Sequence, residues 1–146
     1  DTREWAERGL KAGAQKVLIS GPSPEADLTF VMGANDAALK NQTIVSNASC
    51  TTNALAPTLK LLDDTYGLVS GHMTTIHCYT GSQPPVDAPR VAMVRSRAAA
   101  LSMFPTTTSA ATLAVLVLPA LADTVTSHSV RVPTASVYAV DLLVQL

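Results

Sequence analysis

"SNASCTTNALAP", residues 46–57, sets Asn, Ser, Cys, Thr, Thr and Asn between two apolar stretches. The run before it, "TIVSN" (43–47), reads as a short strand. The run after it reads as a helix over 49–66, because Leu55, Leu59 and Leu62 recur at spacings that share one face. Pro57 should disturb that helix locally. Cys50 therefore stands where a strand ends and a helix begins. Backbone N–H groups lack helical partners there and the helix dipole favours negative charge, so a thiolate gains. Ser49, Thr51 and Thr52 add hydroxyls suited to an oxyanion or a phosphate. A cysteine in so apolar a chain is more often a small buried hydrophobe. The polar neighbours reverse that balance for Cys50 but not for Cys78, which reads as structural.

A cysteine nucleophile needs a base. "GLVSGHMTTIHCYT" (67–80) is strand-like, and a helix followed by a returning strand brings its two ends together. His77, near the end of that strand, is the candidate base; a satisfied core histidine is the alternative. His72 and His128 sit in strands without an evident partner and read as structural. No Cys/His cluster has ligand spacing, so no metal is expected.

Upstream, Asp1 and Glu4 have the spacing of a capping box, and Trp5, Ala6 and Leu10 form an apolar stripe ending at Gly13. "KVLIS" (16–20) and "LTFVMG" (28–33) are further short strands. The order suits the end of an α/β nucleotide-binding domain. Downstream, residues 81–105 carry four prolines and scattered arginines and read as a long ordered loop, functional or interfacial. A helix at about 107–118 and two strands, 124–132 and 135–146, joined at Pro133, follow. The second half is thus expected to be α+β with antiparallel strands.

Across 146 residues, 47% are hydrophobic and only 14% charged, so much of the surface should be buried in the chain's own core or against something beyond it. A net charge of −1 offers no basic field for nucleic acid or an anionic membrane. Positive residues stand singly apart from Arg95 and Arg97, which suits small anions. Two cysteines make no disulfide framework, no leader is visible, and the apolar run 110–122 is too short to span a bilayer. A cytoplasmic setting is expected. Both ends look cut, as in an internal piece of a longer protein.

"SNASCTTNALAP", "HMTTIHCYTGSQPPVDAPR" and "VRVPTASVYAVDL", in this order, resemble the phosphorylating glyceraldehyde-3-phosphate dehydrogenases. "LKAGAQKVLISGPS" and "FVMGAN" fit the stretch before the cysteine in the same family. The resemblance covers essentially the whole chain, which is less than half of a family member. It implies a fold that is α/β plus α+β: residues 1–49 as the C-terminal end of a Rossmann-type dinucleotide-binding domain, and residues 50–146 as part of an antiparallel-sheet catalytic domain. It implies Cys50 as nucleophile and His77 as general base and acid. Thr80 and Arg131 would hold the substrate's phosphate, and Ser49, Thr51 and Thr108 the attacking inorganic phosphate. Arg97 would help shape that anion region. Ser20 would lie near the nicotinamide end of NAD or NADP, and the long loop would face a sister subunit in a homotetramer. Taken alone, Arg131 would read as a surface arginine on an edge strand.

Three departures stand out. Ala54 replaces a frequent second cysteine, Ser109 replaces a phosphate-loop glycine, and "RVAMVRS" (90–96) lacks charges common there and is one residue shorter. Other readings are erythrose-4-phosphate dehydrogenase, a cofactor-free Cys-His hydrolase or acyltransferase, and a non-catalytic module. The isolated 146 residues are expected to be inactive.

Overall fold

Ile44, Val45 and Ser46 are all buried, a pattern that a half-exposed strand cannot show. They form β3 (Ile44–Ser46), the middle strand of a three-stranded sheet between β1 (Val17–Ile19) and β2 (Leu28–Thr29). Both pairs are parallel, with Val17 opposite Ile44 and Leu28 opposite Val45. This computed structural model describes residues 3–90 and 92–146; the capping box expected at Asp1 falls outside them.

The strand expected over 28–33 stops at Thr29. Asn35 is the cause: its side chain accepts from Val31 N–H and donates to the Thr29 carbonyl, turning residues 30–35 back on themselves. Gly33, with φ 78°, supplies a backbone angle that side chains resist.

α1 (Arg3–Lys11) buries Ala6 and Leu10 against Ile19 and Ile44. Trp5 departs from the expected stripe: it is 63% exposed, with the Arg8 guanidinium 3.8 Å above its ring. Asp27 ties this region together. Its carboxylate accepts from Ile44 N–H, Thr43 N–H and the Arg3 guanidinium at 2.8–3.1 Å. The Ile44 N–H first, then Arg3 and Thr43, hold its pKa well below the usual carboxylate range.

α2 (Cys50–Tyr66) buries Leu55 and Leu59 as expected and runs through Pro57 without ending. Gly67, with φ 77°, closes it by donating its N–H to the Asp63 carbonyl. α3 (Ala110–Val117) packs against α2, and Val117 joins Val31, Ala34, Ala48 and Ala56 in one apolar cluster.

The second sheet is built from β4 (Ser70–Cys78), β5 (Phe104–Thr106), β6 (Val125–Val132) and β7 (Tyr138–Gln145), in the order β5-β6-β4-β7. β5 and β6 are antiparallel, with Phe104 opposite Arg131. β4 and β6 are not. Their side chains meet as His72–Thr126, Thr75–Ser129 and His77–Arg131, each pair 54 residues apart, and a constant offset requires parallel strands. The antiparallel expectation is corrected to a mixed sheet. The cause is β4, which lies between β6 and β7. Residues 133–137 therefore cross the end of β4, where Cys78 N–H donates to the Val137 carbonyl and Tyr79 N–H to the Thr134 carbonyl. Val137 takes φ 64° in that crossing, a strained angle for a β-branched residue.

The chain divides into two compact units. One comprises Asp1–Ser70, Ser109–Val125 and Gln145–Leu146; the other comprises Gly71–Thr108 and Thr126–Val144. The first holds the parallel sheet with α1, α2 and α3, and the second holds most of the mixed sheet. Among the described residues no helix is long and apolar enough to cross a membrane.

Candidate functional site

In the first unit, the turn from β3 into α2 is fixed by its own polar side chains. The Ser46 hydroxyl donates to the Gly21 carbonyl and accepts from Ala48 N–H. Ala48 is buried at φ 56°, so the chain turns sharply there under strain. Ser49 then caps α2, its hydroxyl accepting from Thr52 N–H at 3.1 Å and lying 2.7 Å from the Thr52 hydroxyl. Asn53 donates to the carbonyls of Asn47 and Ser49 at 2.7 and 2.9 Å. Cys50, the first helical residue, is left exposed at the positive end of the helix.

The hydroxyls around it divide. Thr51 is only 5% exposed, its Oγ1 3.9 Å from the Cys50 sulfur, and Thr52 is fully buried. Ser49 is half-buried and engaged as the cap. Ser20 is exposed just after β1. Ser20 and Cys50 thus follow the carboxyl ends of adjacent parallel strands, where open α/β sheets receive ligands.

In the second unit, β4 and β6 bring His77, Cys78 and Arg131 together. Arg131 lies on an interior strand and is half-buried, contrary to the edge-strand surface arginine its sequence suggested. Its Nη1 donates to the Cys78 carbonyl at 2.8 Å and lies 3.0 Å from His77 Nδ1. His77 Nδ1 is itself 2.8 Å from the Cys78 carbonyl. A carbonyl only accepts and a guanidinium only donates, so either tautomer of His77 satisfies one of these two contacts at Nδ1, and Arg131, His77 and the Cys78 carbonyl form one tight cluster. The ring stacks on Tyr138, 5.1 Å between centroids and 5° from parallel. Beneath it, Thr75 donates to Ser129 at 2.7 Å in a fully buried cross-strand bond.

Thr80 follows just beyond β4, its hydroxyl 2.9 Å from that of Ser82. Thr108 is half-buried beyond β5. Arg97 pairs with Asp87 at 3.3 Å, both side chains exposed. Arg95 is the arginine that turns inward, donating to the Thr106 hydroxyl at 2.8 Å. With Ser82, Arg90, Thr107 and His128 it lines a groove of about 760 Å³ within this unit. The sequence signal for Arg95 was its place beside Arg97; only the fold separates the two. Among the described residues no group of three or more His, Cys, Asp or Glu could hold a metal.

Comparison with known proteins gives a consistent result. The family model described as glyceraldehyde 3-phosphate dehydrogenase, C-terminal domain, matches residues 49–146. A glyceraldehyde-3-phosphate dehydrogenase of Xanthobacter flavus is 51% identical over 142 residues, which is 97% of this chain and 42% of that protein. One of Geobacillus stearothermophilus is 48% identical over 146 residues, covering 99% of this chain and 44% of its own length. The chloroplastic glyceraldehyde-3-phosphate dehydrogenase A of Chlamydomonas reinhardtii is 49% identical, with 97% of this chain and 38% of the relative covered. The chain thus spans about two fifths of the length of the curated relatives it matches.

Proposed function

The chain belongs to the glyceraldehyde-3-phosphate dehydrogenase family, and from that premise we propose that its protein oxidises glyceraldehyde 3-phosphate to 1,3-bisphosphoglycerate through a cysteine thioester. The observation that carries this reading is the pairing of β4 with β6, which sets the His77 ring 3.0 Å from the Arg131 guanidinium, a candidate base beside a candidate phosphate fork.

Cys50 is the nucleophile. Its sulfur, exposed at the start of α2, adds as thiolate to the aldehyde carbon, forming the C–S bond of a hemithioacetal as the carbonyl π bond opens to an oxyanion. His77 would give the resulting oxyanion its proton and take it back as the carbon's hydrogen departs as hydride and the thioester forms. An oxygen of inorganic phosphate then attacks the thioester carbonyl, and the Cys50 thiolate leaves as the acyl phosphate forms. Thr80 and Arg131 hold the substrate's own phosphate, the guanidinium offering a planar charged donor fork. Ser49, Thr51 and Thr108 serve the attacking phosphate. The burial of Thr51 gives it a supporting part through its backbone more readily than through its hydroxyl.

A bound NAD or NADP would supply the hydride acceptor. Ser20, exposed at the carboxyl end of β1, fits its nicotinamide end. The parallel sheet supports residues 1–49 as the end of a Rossmann-type domain, and the family match beginning at residue 49 supports a catalytic domain over 50–146. The whole protein is read as a homotetramer acting in the cytoplasm, without nucleic acid or membrane partners.

The test uses the full-length chain with NAD, inorganic phosphate and glyceraldehyde 3-phosphate, following NADH absorbance. Phosphate-dependent NADH formation that disappears in Cys50→Ser supports the reading. Activity only with erythrose 4-phosphate would move the substrate. Cofactor-independent hydrolysis or acyl transfer would replace the reading, and silence throughout would leave a non-catalytic module.

A further inference from the structure

Two histidines that the proposed mechanism leaves unused meet on the other face of the mixed sheet. Side chains alternate along a strand, so Thr75, His77, Ser129 and Arg131 share one face while His72, Thr126 and His128 share the opposite one. The parallel offset sets His72 of β4 beside Thr126 of β6, and His128 is its diagonal neighbour two residues on. The two imidazole centroids lie 5.2 Å apart with their planes at 44°. His128 is exposed and His72 half-buried.

The spacing has a chemical meaning. Two imidazoles on one tetrahedral cation, each nitrogen about 2.0–2.1 Å from the metal, have ring centres roughly 5 Å apart. The His72 ring is also held in a useful tautomer. Its Nδ1 is 2.7 Å from the Thr126 hydroxyl, which lies 3.4 Å from the Gly71 carbonyl and is turned to donate to it. The hydroxyl oxygen thus accepts from Nδ1–H, and Nε2 keeps its lone pair. A metal-ligating histidine is commonly oriented in this way by a hydrogen bond from its other ring nitrogen.

We propose that His72 and His128 form a two-histidine site for a late first-row divalent cation, such as Ni²⁺, Zn²⁺ or Cu²⁺, with Thr126 as the positioning residue. Neutral imidazole selects these ions over Mg²⁺ and Ca²⁺, which require oxygen donors. With no third His, Cys, Asp or Glu grouped with them among the described residues, the remaining coordination positions are open to water or a small ligand. Arg90 and Arg95 line the groove that His128 also borders, so their charge opposes the bare cation and favours an anion on its open positions. No spacing rule along the chain could reveal this pair, because strand pairing across more than fifty residues makes it.

The test titrates NiCl₂ into the full-length chain by calorimetry at near-neutral pH, in wild type, His72→Asn, His128→Gln, Thr126→Val and Cys50→Ser. Expected are one Ni²⁺ per chain, at least a tenfold weaker association in each histidine variant, and about a tenfold loss in Thr126→Val. Cys50→Ser should bind as wild type does. Electron paramagnetic resonance with Cu²⁺ should show two nitrogen donors, falling to one in His128→Gln. No Ni²⁺ binding by wild type, unchanged affinity in both histidine variants, or loss confined to Cys50→Ser would overturn the proposal. Should His72→Asn fail to fold, His128→Gln decides alone, since that ring is exposed.

Discussion

The Cys50 turn and the His77 cluster are held by opposite means. At Cys50, most of the organising bonds join residues two to six positions apart, Ser46 to Ala48, Ser49 to Thr52 and Asn53 to Asn47, while Ser46 also reaches Gly21 across 25 residues. At His77, they join residues 53 or 54 apart, through pairing of β4 with β6. The first preparation is mostly local, tied to the sheet through Ser46 and Asn47. The second exists only when the mixed sheet is assembled. A candidate nucleophile can thus be written largely into a short motif, whereas its candidate base depends on the topology of a whole sheet.

The comparison can be sharpened first through activity, where effects are largest. Cys50→Ser is expected to abolish phosphate-dependent NADH formation, a loss on the order of 10⁴-fold or more in kcat, because the attacking atom itself changes. Its melting temperature should stay close to wild type, since the side chain is exposed. A normal rate in Cys50→Ser would remove the nucleophile from the motif. His77→Asn comes next, with a loss of about 10²–10⁴-fold in kcat, the usual worth of a positioned general base. The pH–rate profile separates loss of a base from mere misplacement. In the variant, the pH dependence that comes from this base should vanish.

How much was legible follows the same division. "SNASCTTNALAP" announces a strand and a helix, and both are there; Ser49 caps the helix from outside rather than beginning it, because its hydroxyl accepts from Thr52 N–H. The parallel strands were also visible as short apolar runs. Their lengths were not, since Asn35 turns the chain back after Thr29 by bonds no apolar count would show. The mixed sheet was misread as antiparallel because β6 and β7 are successive in sequence yet flank β4. For the same reason the sequence alone puts Arg131 on an edge, whereas β6 lies inside the sheet. Arg95 and Arg97 were indistinguishable as letters; Asp87 on one side and Thr106 on the other separate them. His72 and His128 looked partnerless for want of that offset.

Stability gives the next pair of tests, one in each region. Thr75→Val leaves the buried Ser129 hydroxyl without the donor it has in the wild type, and should cost about 1–3 kcal/mol. Ser49→Ala removes the α2 cap and should cost about 1 kcal/mol. Measured by urea unfolding of the full-length chain, the sheet variant should be the more destabilised. The reverse order would mean that the local turn, not strand pairing, dominates the energetics of this part of the protein.

The smallest effect tests the parallel-sheet region by pH. Asp27 accepts from Ile44 N–H, the Arg3 guanidinium and Thr43 N–H, all of which favour its ionised form, so its folded pKa lies below the unfolded value of about 3.9. A depressed carboxylate pKa stabilises the fold fully above the unfolded value and loses that contribution as pH falls through the window below it. Because the group is exposed, solvent screens the Arg3 pair, and the effect on the melting temperature should be modest. In Asp27→Asn the melting temperature should be lower than wild type at neutral pH, and the gap should close as pH falls below about 4. An undiminished gap in acid would mean that the carboxylate acts by shape rather than charge. The anchoring of β2 and α1 to β3 would then be hydrogen bonding across 16 to 24 residues, nearer in kind to what assembles the His77 cluster than to what prepares Cys50.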